Sequence, residues 1–96
     1  MRTTLVPAAG GRPHVVSLPL TLVGRGLDCD WQVEGPGMPA HCCVLALADG
    51  LVLLRDLETG CVRVNAQPVR RAVLLHGGRL SLAGQDYEVH CEPAPP

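Results

Sequence analysis

Turn-forming residues recur every several positions along this chain, and that punctuation restricts it to short strands. The breaks fall at Gly10-Gly11, Pro13, Gly24, Gly26, Gly35-Pro36-Gly37, Asp49-Gly50, Gly60, Gln67-Pro68, Gly77-Gly78 and Gly84. Nothing long between them carries helical spacing. Many short strands at regular intervals build a sandwich or a barrel.

The clearest strand lies at residues 85–91, where Tyr87, Val89 and Cys91 alternate with Asp86, Glu88 and His90. One face is apolar and the other polar, the pattern of a half-buried strand. Residues 79–82 alternate likewise, and Gly84 turns the two into a hairpin. Residues 41–48 form a longer strand, with Cys43, Leu45 and Leu47 on one face and Val44, Ala46 and Ala48 on the other. Asp49-Gly50 is a two-residue hairpin signal, after which residues 51–54 return antiparallel. This hairpin is apolar on both faces, which predicts burial between layers. Further strands are predicted at residues 2–6, 14–18, 20–23, 31–33, 62–65 and 69–74.

A chain of 96 residues makes one domain with one core and leaves little room for an enclosed catalytic cavity. Hydrophobic residues at 47% against 18% charged favour folding over disorder. The net charge of −1 supplies no field for nucleic acid, and Trp31 and Tyr87 alone cannot form a base-stacking platform. No apolar run approaches the roughly 18 residues of a membrane span. The start, Met1-Arg2-Thr3-Thr4-Leu5-Val6-Pro7, lacks the apolar centre of a signal peptide. The expectation is a cytoplasmic domain, or one cut from a larger cytoplasmic protein: residues 1–91, then a Pro-rich tail or linker at 92–96. Five cysteines, Cys29, Cys42, Cys43, Cys61 and Cys91, form no CxxC pair and are odd in number, so buried free thiols are expected.

In order and spacing the chain resembles the forkhead-associated (FHA) family from about Leu18 to Val89. The pieces are Val23-Gly24-Arg25 with an Asp-containing loop to Asp30, then Met38-Pro39-Ala40-His41 where the family has Ser-x-x-His. Leu51 to Asp56-Leu57 follows, then Val64-Asn65, and then Leu74-Leu75-His76-Gly77-Gly78-Arg79-Leu80-Ser81-Leu82-Ala83-Gly84 before the last strand. The resemblance implies an all-β fold: an antiparallel β-sandwich of about ten or eleven short strands. It also implies a protein-protein interaction module that grips a phosphothreonine segment with loops at one end, without a cofactor, a metal or enzymatic activity.

The gripping groups of the family are the Arg after Gly, the Ser of Ser-x-x-His and an Asn in the loop after Asp-Leu. Arg25 is kept. Met38 stands for the Ser, Pro39 for the basic residue after it, and the loop Glu58-Thr59-Gly60-Cys61 is about one residue short and lacks the Asn. Arg25, Met38, Thr59 and Gly60 are therefore the candidate phosphopeptide residues, with Thr59 a potential replacement donor. Gly24, His41, Asp56 and Asn65 are expected to organise the loops. Two lost donors to a phosphate, at roughly 1.5–3 kcal/mol each, weaken binding by about two to four decades. The alternatives are a phospho-independent scaffold or a self-association domain; the oligomeric state stays open. Outside this class stand a cysteine enzyme, using Cys42 or Cys61 with His41 or His76, and a zinc site from Cys29, His41, Cys42 and Cys43. Neither has a supporting spacing.

Overall fold

The computed structural model describes residues 2–93. Eleven strands follow in chain order: β1 (Arg2–Pro7), β2 (His14–Val16), β3 (Leu20–Gly24), β4 (Trp31–Gln32), β5 (Cys43–Ala48), β6 (Leu51–Asp56), β7 (Val62–Val64), β8 (Gln67–Pro68), β9 (Arg71–Leu74), β10 (Arg79–Leu82) and β11 (Gln85–Glu92). They form a six-stranded sheet, β2-β1-β11-β10-β7-β8, and a five-stranded sheet, β4-β3-β5-β6-β9. Every pairing is antiparallel except the short β3–β4 contact, where Val23 lies beside Trp31. The expected β-sandwich is thus present, and no helix forms among the described residues. Of the expected tail, Ala94, Pro95 and Pro96 lie outside those residues, and Glu92 belongs to β11.

Alternation sets the core. Leu5, Leu80, Leu82 and Val89 point inward from one sheet, and Val23, Leu45, Val52, Leu54 and Leu74 from the other, all essentially inaccessible. Trp31 spans the open side: its ring stacks on His14 and meets Tyr87 edge-on at 5.2 Å.

Two expectations change. The β5–β6 hairpin is not buried on both faces. In a two-layer sandwich each sheet has one partner, so the second face of this sheet meets solvent, and Leu20, Leu53 and Val73 are 64%, 41% and 41% exposed. Gln67-Pro68 is also a strand and not a turn. The turn falls one step earlier, at Asn65-Ala66, whose φ values of 50° and 68° make a two-residue hairpin between Val64 and Gln67. Asn tolerates that left-handed backbone, and Pro68 is admitted because β8 is an edge strand.

Candidate functional site

Three loops meet at one end of the sandwich, and backbone hydrogen bonds hold them together. The β3–β4 loop is tied to the β4–β5 loop by Arg25 N–H to Pro39 O and Gly26 N–H to Ala40 O, both 3.0 Å. The β6–β7 loop is tied to the second by Leu57 N–H to Cys42 O, also 3.0 Å. Gly24 is buried where the first two loops cross. A Cβ there would lie 2.2 Å from Ala40 O, so only glycine fits.

Arg25 is exposed on this framework. Both acidic groups that could have neutralised it are engaged elsewhere. Asp30 Oδ2 accepts the Leu22 N–H at 2.8 Å. The oxygens of Asp28 lie 2.8 and 3.0 Å from His41 Nε2, bridging the first loop to the second. No carboxylate of the described residues comes within 4.0 Å of the Arg25 guanidinium. Leu27, two residues on, is 96% exposed.

Met38 does not face the ligand side. The thioether is 2% exposed and joins the core, because an unbranched apolar chain is more stable there than beside charge. The Thr59 hydroxyl is likewise committed. It donates to Asp56 Oδ1 at 2.5 Å and accepts the Cys61 N–H at 3.2 Å, so its single proton is used within its own loop. Asp56 also accepts the N–H groups of Thr59 and Gly60. Burial alone would raise its pKa; these hydrogen bonds outweigh burial and hold the carboxyl below the ordinary value. Gly60 follows at φ +68°, a left-handed position that suits glycine. Asn65 lies at the β7–β8 turn, where its Oδ1 accepts the Arg79 N–H at 2.9 Å.

Beside the third loop, Arg55, Glu58, Gly60, Val69, Arg70 and Arg71 line a cleft of about 600 Å³. Among the described residues none of its three arginines has a carboxylate within 4.0 Å. No sequence pattern joins Arg55 to this cleft: only the β6–β9 pairing brings it alongside Arg71. Nor does any periodicity reveal the exposure of Leu27.

Among the described residues no hydrogen bond joins Cys42 or Cys61 to a histidine; the Cys61 thiol donates to Thr59 O at 3.5 Å. His41 Nε2 is on Asp28, and His76 Nδ1 accepts the Cys91 N–H at 3.0 Å. Cys42 and Cys43 are both fully buried; the hydrogen bond that the Cys43 thiol donates to the neighbouring Cys42, and then burial, push the Cys43 thiol up. No helix among the described residues is long and apolar enough to cross a membrane.

The chain resembles solved structures over almost its whole length. One, from a study of phosphothreonine-dependent FHA domain interactions, is 25% identical with a TM-score of 0.89, covering 98% of this chain and 100% of the other. The FhaA FHA domain, complexed with the intracellular domain of Rv3910, is 24% identical with a TM-score of 0.83, covering 92% and 99%. The N-terminal FHA domain of S. cerevisiae Rad53p, complexed with a phosphothreonine peptide, is 15% identical with a TM-score of 0.83, covering 96% and 94%. No curated protein sequence matches. The FHA domain family model matches residues 21–83, which hold the Gly24-Arg25 turn, the His41 bridge and the Asp56 knot. On that match and that architecture, the chain belongs to the FHA domain family.

Proposed function

We propose that this domain binds a phosphothreonine-containing segment of a protein partner through the three-loop end, with Arg25 as the principal phosphate ligand. The observation that carries the reading is the free Arg25 guanidinium on a loop fixed by two backbone hydrogen bonds and the His41–Asp28 bridge. An arginine fork can engage two phosphate oxygens at once, and a pinned loop loses little entropy on binding. FHA domains are phosphothreonine-dependent interaction modules, and the domain acts by binding, without catalysis. Phosphothreonine is made where kinases and ATP are, so the reading places it in the cytoplasm.

The grip is weaker than a full set of donors would give. With Met38 in the core and the Thr59 proton used by Asp56, two side-chain donors are missing, at roughly 1.5–3 kcal/mol each. Acidic residues flanking the phosphothreonine would recover part of this in the cleft of Arg55, Arg70 and Arg71. A second reading, phosphate-independent contact with a protein, rests on the exposed Leu20, Leu53 and Val73 of the outer sheet face.

The test is a titration with a degenerate phosphothreonine peptide pool and its unphosphorylated twin, with Arg25→Ala as control. Phosphate-dependent binding lost in the control supports the first reading. Equal binding of both pools supports the second and removes the first.

A further inference from the structure

The β3–β4 and β4–β5 loops bring together three side chains of different chemistry. The carboxylate of Asp28, the thiol of Cys29 and the imidazole of His41 each offer one donor atom, and these atoms lie within 4.8 Å of one another. Cys29 is buried at the base, while Asp28 and His41 stand at the surface, their side chains 65% and 50% exposed. A cation can therefore enter from solvent and meet a thiol anchored below.

We propose that Asp28, Cys29 and His41 form a three-ligand site for a borderline-soft dication of the zinc class. Thiolate, imidazole and carboxylate are the donor types that such an ion takes. Charge balances: on binding, the Cys29 thiol releases its proton to solvent, and thiolate plus carboxylate neutralise the dication while imidazole stays neutral. Geometry agrees. Nitrogen and oxygen ligands of a tetrahedral zinc sit about 3.3 Å apart, and His41 Nε2 is 2.8 Å from Asp28 Oδ2, so a small rotation opens the space for the metal between them. The imidazole proton then sits on Nδ1, which keeps the ring neutral and turns the Nε2 lone pair to the metal. The thiol already lies within 4.8 Å of both other donor atoms, and on losing its proton it gives up its hydrogen bond to Ala40 O and becomes free to turn to the metal.

The loop around the site is preformed. Cys29 N–H and the Gln32 side-chain amide both donate to Gly26 O, at 3.1 and 3.0 Å, and Gly26 N–H donates to Ala40 O. Gly26 also leaves the space: a Cβ there would lie 2.6 Å from Asp28 Oδ1 and 3.7 Å from Cys29 Sγ. A bound metal would staple the two loops that carry Arg25 and Pro39. The site does not depend on the phosphopeptide reading, and either can fail alone.

The test is titration of the reduced, chelator-treated chain with Co²⁺, a spectroscopic stand-in for Zn²⁺, with circular dichroism confirming that each variant is folded. The expected result is a single equivalent that gives a thiolate-to-cobalt charge-transfer band and the intense visible bands of a four-coordinate ion. Zn²⁺ should abolish both. Cys29→Ser should remove the charge-transfer band, and Asp28→Asn should weaken Co²⁺ affinity at least about tenfold, as losing even an outer-shell partner costs about that much. Absence of the band overturns the proposal. So does a band that survives Cys29→Ser, or that disappears in Cys91→Ser, which lies beside His76. Should Cys29→Ser not fold, the exposed Asp28→Asn decides, and unchanged affinity there overturns the site.

Discussion

The hydroxyl of Thr59 donates to Asp56 Oδ1 at 2.5 Å, closing the β6–β7 loop on itself. The loop thus holds its shape through a carboxylate that takes three hydrogen bonds from the next residues. Thr59→Ala should lower stability by about 1.5–3 kcal/mol, the range for a hydrogen bond to a charged group. Urea unfolding of the two proteins measures it. A loss under about 0.5 kcal/mol would show that the hydroxyl is idle in solution.

Replacing Met38 by the family's serine should not rebuild the phosphate grip. The side chain fills the core at 2% exposure, so Met38→Ser leaves a cavity and buries a hydroxyl. Truncating a buried Met costs about 2–5 kcal/mol. Thermal melting should show a strong loss without a gain in phosphopeptide affinity. A gain would mean that the β4–β5 loop can turn over to present this position.

Leu27 offers a cleaner probe of the binding end. It is 96% exposed, so Leu27→Ser should shift stability by no more than about 0.5 kcal/mol. If a partner covers about half of that side chain, some 1 kcal/mol of burial is lost, and affinity falls about fivefold. A peptide titration at constant melting temperature reads this directly. Unchanged affinity would place the partner away from the loop tip.

Acid should destabilise the domain in two separate windows. The stack of His14 on Trp31, with centroids 4.3 Å apart and planes 4° from parallel, buries the imidazole, and burial lowers its pKa from 6.5. The unfolded chain then binds that proton more readily than the folded one. Stability is therefore full above 6.5 and falls as pH drops toward the folded value. Asp56 is depressed below its ordinary 3.8, so its share is present above 3.8 and is lost as pH falls through the folded value. Melting temperature against pH should show both steps, the upper one missing in His14→Gln and the lower in Asp56→Asn. A profile unchanged by His14→Gln would exclude that residue as the cause.

Periodicity and turn chemistry made most strands legible. The alternation at Arg79–Leu82 and the Asp49-Gly50 hairpin stand where the residues put them. Gln67-Pro68 misled because proline signals a turn in most settings, and its tolerance at an edge depends on strand order, which is a tertiary property. The outer face of β6 misled for a similar reason, since an apolar stripe does not say whether another layer covers it. At the loop end, Arg25 and the Asp56 turn were readable from motif order. The inward turn of Met38 was not, because loop residues have no periodicity to reveal their direction. Cys29 and His41 were weighed together as zinc ligands, but with Cys42 and Cys43; that Asp28 completes the group was not legible, because it arises only where the second loop doubles back over Gly24.

β11, the last of the described strands, lies inside its sheet, with β1 on one side and β10 on the other. During synthesis the amino-terminal hairpin must therefore wait, with a bare edge, until residues near Glu92 have left the ribosome and paired with Arg2. Closure spans nearly the whole chain, which makes folding slow for so small a domain. A truncation before β11 would remove the strand that joins the two halves of the sheet, leaving a nascent chain whose open edges recruit other chains.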